Sequence, residues 1–530
     1  MSLTHPYAPA ALPGRLNSLS MRAMLGLGYA LPALALLPRL FPPINHDTGA
    51  LLDFGRRWLA GERLYVDLLD MNTPITFVHY AVPVAIGNML NLGSPAGVTI
   101  WFFLLIGLSF AAACRLMPRA AAGELPVVRH LALQAILFGL CALPADEFTQ
   151  REHLMVILAV PYALVAAMRA GGQAVPVSLG IAVTLSASLG FVIKPHYVFV
   201  PLVIELYLLW QRGLRATLLD PAPWVIGFAY VGHLAAIVFL TPNYLGFVVP
   251  ITLEYYTRLS HGAAIPPWVT GYAGATLVAL LLLAPLVWGR AGSPLLRIAF
   301  LFALGGVFSD MAQAKGWYYH AIPGLFGIMF LLPTMGARGI ALLAGDRLRQ
   351  LDLPTAALSL FMAVSVNYTF LTFQQPFDKQ IYFTGSEVDR LSRMVKKYAK
   401  RGRVLSLSPG IYPHFPMVNY AHASMTMPFM TMWLLQGVYA FCEEGKPLYN
   451  EPDRMEPAER FVYETVAANM ARWKPGVVVV DHITGVPDCI VDSPFSYLDY
   501  FLRHPDFAAE WQNYEYIDRL GRFDIYARMP

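Results

Sequence analysis

The chain has 530 residues, of which 56% are hydrophobic and 14% charged, with a mean hydropathy of +0.50. This composition excludes an ordinary soluble enzyme and predicts a protein with many membrane spans. The formal net charge is only +4, and no long basic run is present, so nothing indicates a nucleic-acid partner.

Apolar blocks long enough to cross about 30 Å of hydrocarbon recur along the first 372 residues. They lie near residues 21–40, 75–90, 98–114, 130–144, 153–168, 175–193, 196–210, 223–241, 269–288, 295–309, 317–335 and 354–372. The first block follows two arginines, and we interpret it as an uncleaved N-terminal membrane anchor. The pattern predicts a polytopic α-helical membrane protein with about 11–13 transmembrane helices.

The arginines between these blocks predict which loops face the cytoplasm. Arginine-rich linkers such as residues 115–129 are expected inside, by the positive-inside rule. The alternate loops, near residues 146–153, 194–197 and 310–320, then face outward, as does everything after residue 373. A full span at 75–90 would invert this order. That block is therefore either a re-entrant or surface-lying helix, or one linker breaks the rule.

The last part of the chain changes character and predicts a separate domain. Short apolar runs at residues 404–407, 477–480 and 523–526 are typical of strands, and they alternate with amphipathic helical segments. We predict a transmembrane domain at 1–373, with a catalytic first outer loop at 41–73, and an extracytoplasmic α/β domain at 374–530. Cys442 and Cys489 lie in that domain, as a disulfide or as two free thiols.

The first outer loop begins with the polar run Asn45-His46-Asp47 directly after the first apolar block. A carboxylate at this boundary is suited to general-base catalysis on an acceptor hydroxyl. Alternatively, Asp47 caps the following helix by accepting a backbone N–H from Gly49 or Ala50. Further along the loop, Asp70 and Asn72 before Pro74 read as a turn and helix cap, whereas Asp67 is a candidate substrate contact.

Basic residues and histidines at the outer ends of later spans are candidates to bind an anionic phosphate, because they carry hydrogen-bond donors at headgroup depth. Solvated loops, a snorkelling lysine and an interfacial aromatic belt are the alternatives. The candidates are Arg151, His153, Lys194, His196, Lys315 and His320.

No spacing typical of a metal site is present, and no cofactor is identified. A divalent metal is not indicated, although His46, Asp47 and Glu147 could converge on a cation. The chain also lacks a glycine-rich phosphate loop, which argues against ATP hydrolysis.

Together, these features resemble the GT-C superfamily of membrane glycosyltransferases, which includes protein O-mannosyltransferases, aminoarabinose transferases and lipopolysaccharide galacturonic acid transferases. The resemblance rests on Asp47 in the first outer loop, the Gly61 to Asp67 and Asn72-Thr73-Pro74 run before the next apolar block, the Gln150-Arg151-Glu152-His153 loop and the exported tail. It departs from the family at Asn72-Thr73-Pro74, where aminoarabinose transferases carry Lys-Pro-Pro, and this puts the donor sugar in doubt.

The resemblance implies an inverting transfer of a sugar from a polyprenyl-phosphate carrier, with Asp47 as the general base. The acceptor would be a hydroxyl of an envelope glycan, lipid or protein at a bacterial inner membrane, with the C-terminal domain in the periplasm. The competing hypothesis is a transporter or flippase for a lipid-linked or polar substrate. We see neither internal repeats nor mid-span charges that would favour it.

Overall fold

The computed structural model describes nine stretches of the chain. These are residues 15–256, 258–259, 265–289, 292–344, 353–375, 377–400, 402–441, 448–487 and 494–529. Cys442 and Cys489 lie outside the described residues, so their predicted alternatives stay open.

The described part of the first 374 residues folds mainly into helices joined by loops, and each of the predicted apolar blocks overlaps a helix. The helices are α1 (Arg15–Leu34), α2 (His46–Leu59), α3 (Pro74–Met89), α4 (Ser94–Ala120), α5 (Pro126–Cys141), α6 (Arg151–Ala170), α7 (Val177–Phe191), α8 (Phe199–Arg212), α9 (Leu214–Leu218), α10 (Pro221–Leu240), α11 (Val249–Ile251), α12 (Pro267–Thr270), α13 (Tyr272–Trp288), α14 (Pro294–Gln313), α15 (Tyr318–Ala344) and α16 (Leu353–Gln374).

Within the described residues, six helical segments are long and apolar enough to cross a membrane. They are Met21–Leu40, Ser94–Ala120, Arg151–Ala170, Pro221–Leu240, Pro294–Gln313 and Tyr318–Ile340, and shorter apolar helices such as α5, α7 and α13 lie among them. The large exposed side chains of α10, among them Phe228, Leu234 and Phe239, suit contact with lipid. The prediction of a polytopic α-helical membrane protein is confirmed.

Helix α3 covers the ambiguous block at residues 75–90. Its 16 residues make a rod of about 24 Å, short of a full bilayer core. It packs closely against α4, because a Cβ on Gly97 would lie 2.1 Å from the carbonyl oxygen of Pro83. The helix therefore forms a tight antiparallel pair with α4, and its path relative to the bilayer stays a prediction.

The C-terminal region folds around a five-stranded sheet, which confirms the predicted α/β domain. The strand order is β2-β1-β3-β5-β4, in which β1, β2 and β3 are parallel and β4 and β5 are antiparallel to their neighbours. The strands are β1 (Arg403–Leu407), β2 (Ser424–Met425), β3 (Val477–Asp481), β4 (Tyr514–Leu520) and β5 (Phe523–Arg528), and the helices are α17 (Asp378–Ile381), α18 (Glu387–Ala399), α19 (His414–Ala421), α20 (Trp433–Val438), α21 (Pro457–Trp473), α22 (Tyr497–Leu502) and α23 (Pro505–Trp511).

Helix α2 lies between the membrane helices and the C-terminal domain. On one side it packs against α3, where Phe54 and Phe77 stack with centroids 6.2 Å apart. On the other side it meets α19, because Asn419 Nδ2 donates to the carbonyl oxygen of Gly49 over 3.0 Å. A Cβ on Gly49 would come within 3.0 Å of Pro416 Cα. Both regions of the protein therefore fix the helix that carries Asp47.

Candidate active site

Asp47 lies in the first turn of α2, but it does not cap the helix. The cap is Asn45, whose side-chain oxygen accepts a hydrogen bond from the backbone N–H of Thr48 over 3.2 Å. The alternative interpretation of Asp47 as the capping residue is therefore wrong. Its carboxylate stays available for contacts with other parts of the chain.

The Asp47 carboxylate is bound by two residues that lie about a hundred positions further along the chain. Gln150 Nε2 donates to Oδ2 over 2.8 Å, and Arg151 Nη2 donates to the same oxygen over 3.0 Å. The other oxygen, Oδ1, lies 3.6 Å from His46 Nε2. Burial alone would raise the pKa of Asp47, but His46, Arg151 and the Gln150 amide together hold that pKa below its ordinary value. The group is therefore a carboxylate at neutral pH.

Arg151 is oriented by a second partner besides Asp47. Its Nη1 donates to Asn72 Oδ1 over 2.8 Å. Asn72 in turn is held by Asp70, whose Oδ1 accepts from the backbone N–H of Asn72 over 2.7 Å. The sequence predicted only a turn and cap at Asp70 and Asn72, and it gave no signal that Asn72 reaches Arg151. The guanidinium is thus fixed between the first turn of α2 and the loop before α3.

Arg151 also lines a cavity of about 410 Å³, whose walls come from the ends of several helices and from the loops between them. Five of the predicted phosphate-binding residues line this one cavity: Arg151, Lys194, His196, Lys315 and His320. Asp47 is not a lining residue, and it reaches the cavity through its bond to Arg151. The structure therefore brings the two predicted halves of the site into direct contact.

Lys194 is a second cation of this cavity that other side chains hold in place. Its Nζ donates to Glu152 Oε1 over 2.5 Å and to Gln313 Oε1 over 2.9 Å. Burial lowers the pKa of Lys194 to about 8, against the opposing effect of the Glu152 carboxylate. Burial also lowers the pKa of the nearby His196, to about 3, so that this imidazole is neutral. Lys194 therefore carries most of its charge at neutral pH.

Aromatic rings surround the cations. The Lys194 Nζ lies 5.3 Å from the centroid of the Tyr319 ring, and the Arg151 guanidinium lies 5.9 Å from it. Lys315 Nζ lies 4.2 Å above the Tyr256 ring. Apolar side chains complete the wall, among them Ile193, Val248, Val249 and Leu253. The cavity thus combines a cationic end with an apolar surface.

Two predicted substrate contacts lie away from this cavity. His153 is fully buried, with Nε2 2.8 Å from the carbonyl oxygen of Leu140 and its ring 4.9 Å from that of Phe148. Asp67 lies at the surface, where it pairs with Arg63 over 2.9 Å. The structure therefore places His153 in the protein core and Asp67 in a local turn.

No group of three or more His, Cys, Asp or Glu side chains is arranged to hold a metal ion within the described stretches. His46 does approach Asp47, but Glu147 is bonded to Asn45 and Gln150 instead. Other polar contacts of the site were not foreseen. Glu152 entered the sequence analysis only as a member of the Gln150-Arg151-Glu152-His153 loop, and Gln313 belongs to no motif. They are recognised only from their distances to Lys194.

Comparison with known proteins finds similarity in three-dimensional structure only. No family model matches the chain, and no curated protein matches it. Among solved structures, the chain is similar to ArnT from Cupriavidus metallidurans in the apo state, at 14% identity and a TM-score of 0.47, over 96% of this chain and 97% of that one. It is also similar to ArnT bound to undecaprenyl phosphate, at 16% identity and a TM-score of 0.43, with the same coverage of both chains.

A third similar structure is the Archaeoglobus fulgidus oligosaccharyltransferase tethered with an acceptor peptide, at 11% identity and a TM-score of 0.44. The alignment covers 97% of this chain and 74% of that one. ArnT and the oligosaccharyltransferase are both GT-C membrane glycosyltransferases. With TM-scores this low, the likeness carries no argument about residues or substrates.

Proposed function

We propose that this protein is an integral membrane glycosyltransferase. It moves a sugar from a polyprenyl-phosphate carrier to a hydroxyl of an extracytoplasmic glycan, lipid or protein, with inversion at the anomeric carbon. The observation that carries the proposal is the bond between Asp47 and Arg151, which joins an ionised carboxylate to a cavity lined by cations. This pairing suits a reaction that needs a base and an anion site side by side.

In the proposed reaction, the acceptor oxygen forms a bond to the anomeric carbon while its proton passes to Asp47. The bond between the anomeric carbon and the phosphate oxygen breaks, and the phosphate leaves with the electron pair. The carrier phosphate thereby changes from a singly charged diester to a more highly charged monoester. Arg151, Lys194 and Lys315 supply positive charge where this negative charge develops, which is usually a large contribution to catalysis.

The shape of the cavity supports a lipid-linked donor. Its cationic end suits a phosphate, and Val248, Val249 and Leu253 offer an apolar wall for the first prenyl units. Attack by the acceptor opposite the leaving phosphate would invert the anomeric configuration. The proposal places the protein in a bacterial inner membrane, with the domain at 374–530 on the periplasmic side and the membrane domain at 1–373.

A transfer assay with the reconstituted protein tests this function. Wild-type and Asp47→Asn proteins in lipid nanodiscs are incubated with radiolabelled polyprenyl-phosphate sugars and an envelope lipid extract. We expect transfer by the wild type and a loss of about a thousandfold in the variant, the usual scale for a general base. Asp518→Asn, an exposed carboxylate of β4, is the control. Unchanged transfer by Asp47→Asn would exclude Asp47 as the base.

A further inference from the structure

The charge of the cavity that Arg151 lines limits which sugar it can hold. Its charged lining residues are the three cations Arg151, Lys194 and Lys315. Among the residues that the structure describes, no aspartate or glutamate lines this cavity. Glu254 follows the lining residue Leu253 in the chain, but it pairs with Arg258 over 3.2 Å. The described wall therefore offers a ligand positive charge and no carboxylate.

Two carboxylates next to these cations are bonded to them. Asp47 Oδ2 accepts from Arg151 over 3.0 Å, and Glu152 Oε1 accepts from Lys194 over 2.5 Å. Neither acid lines the cavity, and Glu152 is fully buried. An ammonium group in the cavity would therefore compete with a cation of the protein for either carboxylate.

Aromatic faces are another common partner of an ammonium ligand, and cations of the protein face two rings of this cavity. Lys194 Nζ and the Arg151 guanidinium lie 5.3 and 5.9 Å from the centroid of the Tyr319 ring. Lys315 Nζ lies 4.2 Å from the centroid of the Tyr256 ring. An added ammonium group would share each of these rings with a like charge. Both rings therefore favour a ligand without positive charge.

His196 lines the same cavity and shows what this environment does to a titratable group. Burial is the largest cause that lowers the pKa of His196, and the positive charges of Lys194 and Arg151 act in the same direction, so that the pKa falls to about 3. A hydrogen bond with Gln313 opposes them only in part. A protonated amino group on a ligand would meet the same desolvation and the same repulsion.

The donor sugar lies within the field of these cations, because it is bonded directly to the phosphate that they are proposed to bind. A sugar ring is shorter than the screening length of about 10 Å in 0.1 M salt, so an amino group at any of its positions is repelled. The cavity of about 410 Å³ has the size of a small-molecule site and can enclose the phosphate with its first sugar. The charge of the wall therefore acts on every substituent of that sugar.

We propose that the cavity takes a donor whose sugar carries no positive charge, so that amino sugars with a free ammonium group are rejected. This proposal rests on the proposed glycosyltransferase function and narrows its donor. Lys315 is the cation on which the selection is best tested. Replacing Arg151 or Lys194 would also leave a carboxylate without its cation.

Binding of soluble sugar phosphates tests this selection without any transfer. Isothermal calorimetry is recorded at pH 7 on the full chain in phosphatidylcholine nanodiscs. The probes are α-D-glucose 1-phosphate and its 2-amino-2-deoxy and 6-amino-6-deoxy analogues, whose amino groups are mainly protonated at this pH. We expect both analogues to bind about tenfold more weakly, the effect of one like-charge contact. If either analogue binds as tightly as glucose 1-phosphate, the proposal is overturned.

The 2-acetamido-2-deoxy analogue separates charge from size, because it is bulkier than the 2-amino analogue and carries no positive charge on the sugar. We expect it to bind more tightly than the 2-amino analogue. Equal or weaker binding would attribute the loss to size and would contradict the proposal.

Lys315→Gln should lower the preference for glucose 1-phosphate over the amino analogues by about threefold, because one of the three cations is removed. Lys379→Gln is the matched control, since Lys379 is exposed, pairs with Asp146 and does not line the cavity. An unchanged preference in Lys315→Gln, or an equal fall in both variants, would place the selection outside the cavity and refute the proposal. Thermal unfolding of each variant confirms that it is folded.

The outcomes separate this proposal from the glycosyltransferase proposal. If the amino analogues bind as tightly as glucose 1-phosphate, only the selection against positive charge fails. If no sugar phosphate binds, the cavity is not the donor site, and both proposals lose their anion site. The transfer assay with Asp47→Asn tests the base independently of either result.

Discussion

Arg151 donates one terminal nitrogen to Asp47 and the other to Asn72, with distances of 3.0 and 2.8 Å. A planar guanidinium held at both ends has little freedom to rotate, and a lysine cannot reproduce this fork. The arrangement fixes the spacing between the proposed base and the cationic cavity. It also makes Asn72, which itself lines the cavity, a residue that positions Arg151.

Removing the Asn72 side chain is expected to impair the donor site without abolishing the base. In Asn72→Ala, Arg151 loses one of its three side-chain partners, which are Asp47, Asn72 and Gln150. We predict about a tenfold rise in the donor KM with a smaller change in kcat. Asn88→Ala, at an exposed position of α3, is the control. Unchanged donor kinetics in Asn72→Ala would show that Asp47 and Gln150 suffice to orient Arg151.

The lowered pKa of Lys194 predicts that phosphate binding depends on pH. Burial lowers the pKa of Lys194 to about 8, so the ammonium is charged below that pH and loses its charge as the pH rises through it. The affinity for undecaprenyl phosphate should therefore fall between about pH 7 and 9, where the phosphate itself does not titrate. Isothermal calorimetry in nanodiscs measures the affinity. In Lys194→Met the affinity should be lower at pH 7 and flat across the range, and an unaltered slope would refute the assignment.

Glu152 is expected to stabilise the protein through Lys194. The carboxylate is fully buried and bonded to the lysine over 2.5 Å, so Glu152→Gln leaves a buried cation with a neutral partner. Breaking such a pair costs about 3–5 kcal/mol, which a fall in Tm reports. The double variant Glu152→Gln, Lys194→Met should recover much of that loss. If the double variant is no more stable than Glu152→Gln, the pair is not coupled.

A substitution at Gly49 tests the contact between α2 and the C-terminal domain. An added Cβ would lie within 3.0 Å of Pro416 Cα and close to Asn419, so Gly49→Ala forces α2 and α19 apart. We predict a loss of about 1–3 kcal/mol in the free energy of unfolding, the usual range for overpacking, with reduced transfer activity. Gly107 in α4 has open space around it, and Gly107→Ala should be neutral or slightly stabilising. Equal stability of the two variants would contradict the tight contact.

The sequence predicted the features that depend on hydrophobicity. Apolar blocks marked the membrane helices, and runs such as Val477–Val480 marked the buried strands, because burial on both faces requires a continuous apolar run. Strand β4 was not predicted, since five of its seven residues are charged or aromatic and most of them face solvent. Strand β2, with two residues, is too short to leave a pattern.

The sequence identified the charged residues of the candidate site. It did not identify the neutral residues that hold them in place. Arg151, Lys194 and Lys315 stand out because cations beside apolar blocks are costly without a role. Asn72 and Gln313 do not stand out, because an amide at a helix end is common in any protein. His153 lies two residues after Arg151, and two steps along a helix turn a side chain by about 200°, so its ring lies in the core instead of the cavity.

Helix α2 contacts both the membrane helices and the C-terminal domain, so removing that domain would leave α2 without part of its support. Tyr420 accepts a hydrogen bond from the backbone N–H of Ile44 over 2.8 Å, just before the helix begins, and Asn419 binds Gly49 within it. A chain that stops after α16 would keep every membrane helix and lose both of these supports. The C-terminal domain accordingly helps to hold the helix that carries Asp47, and exchanging this domain between related proteins would require exchanging residues 41–73 as well.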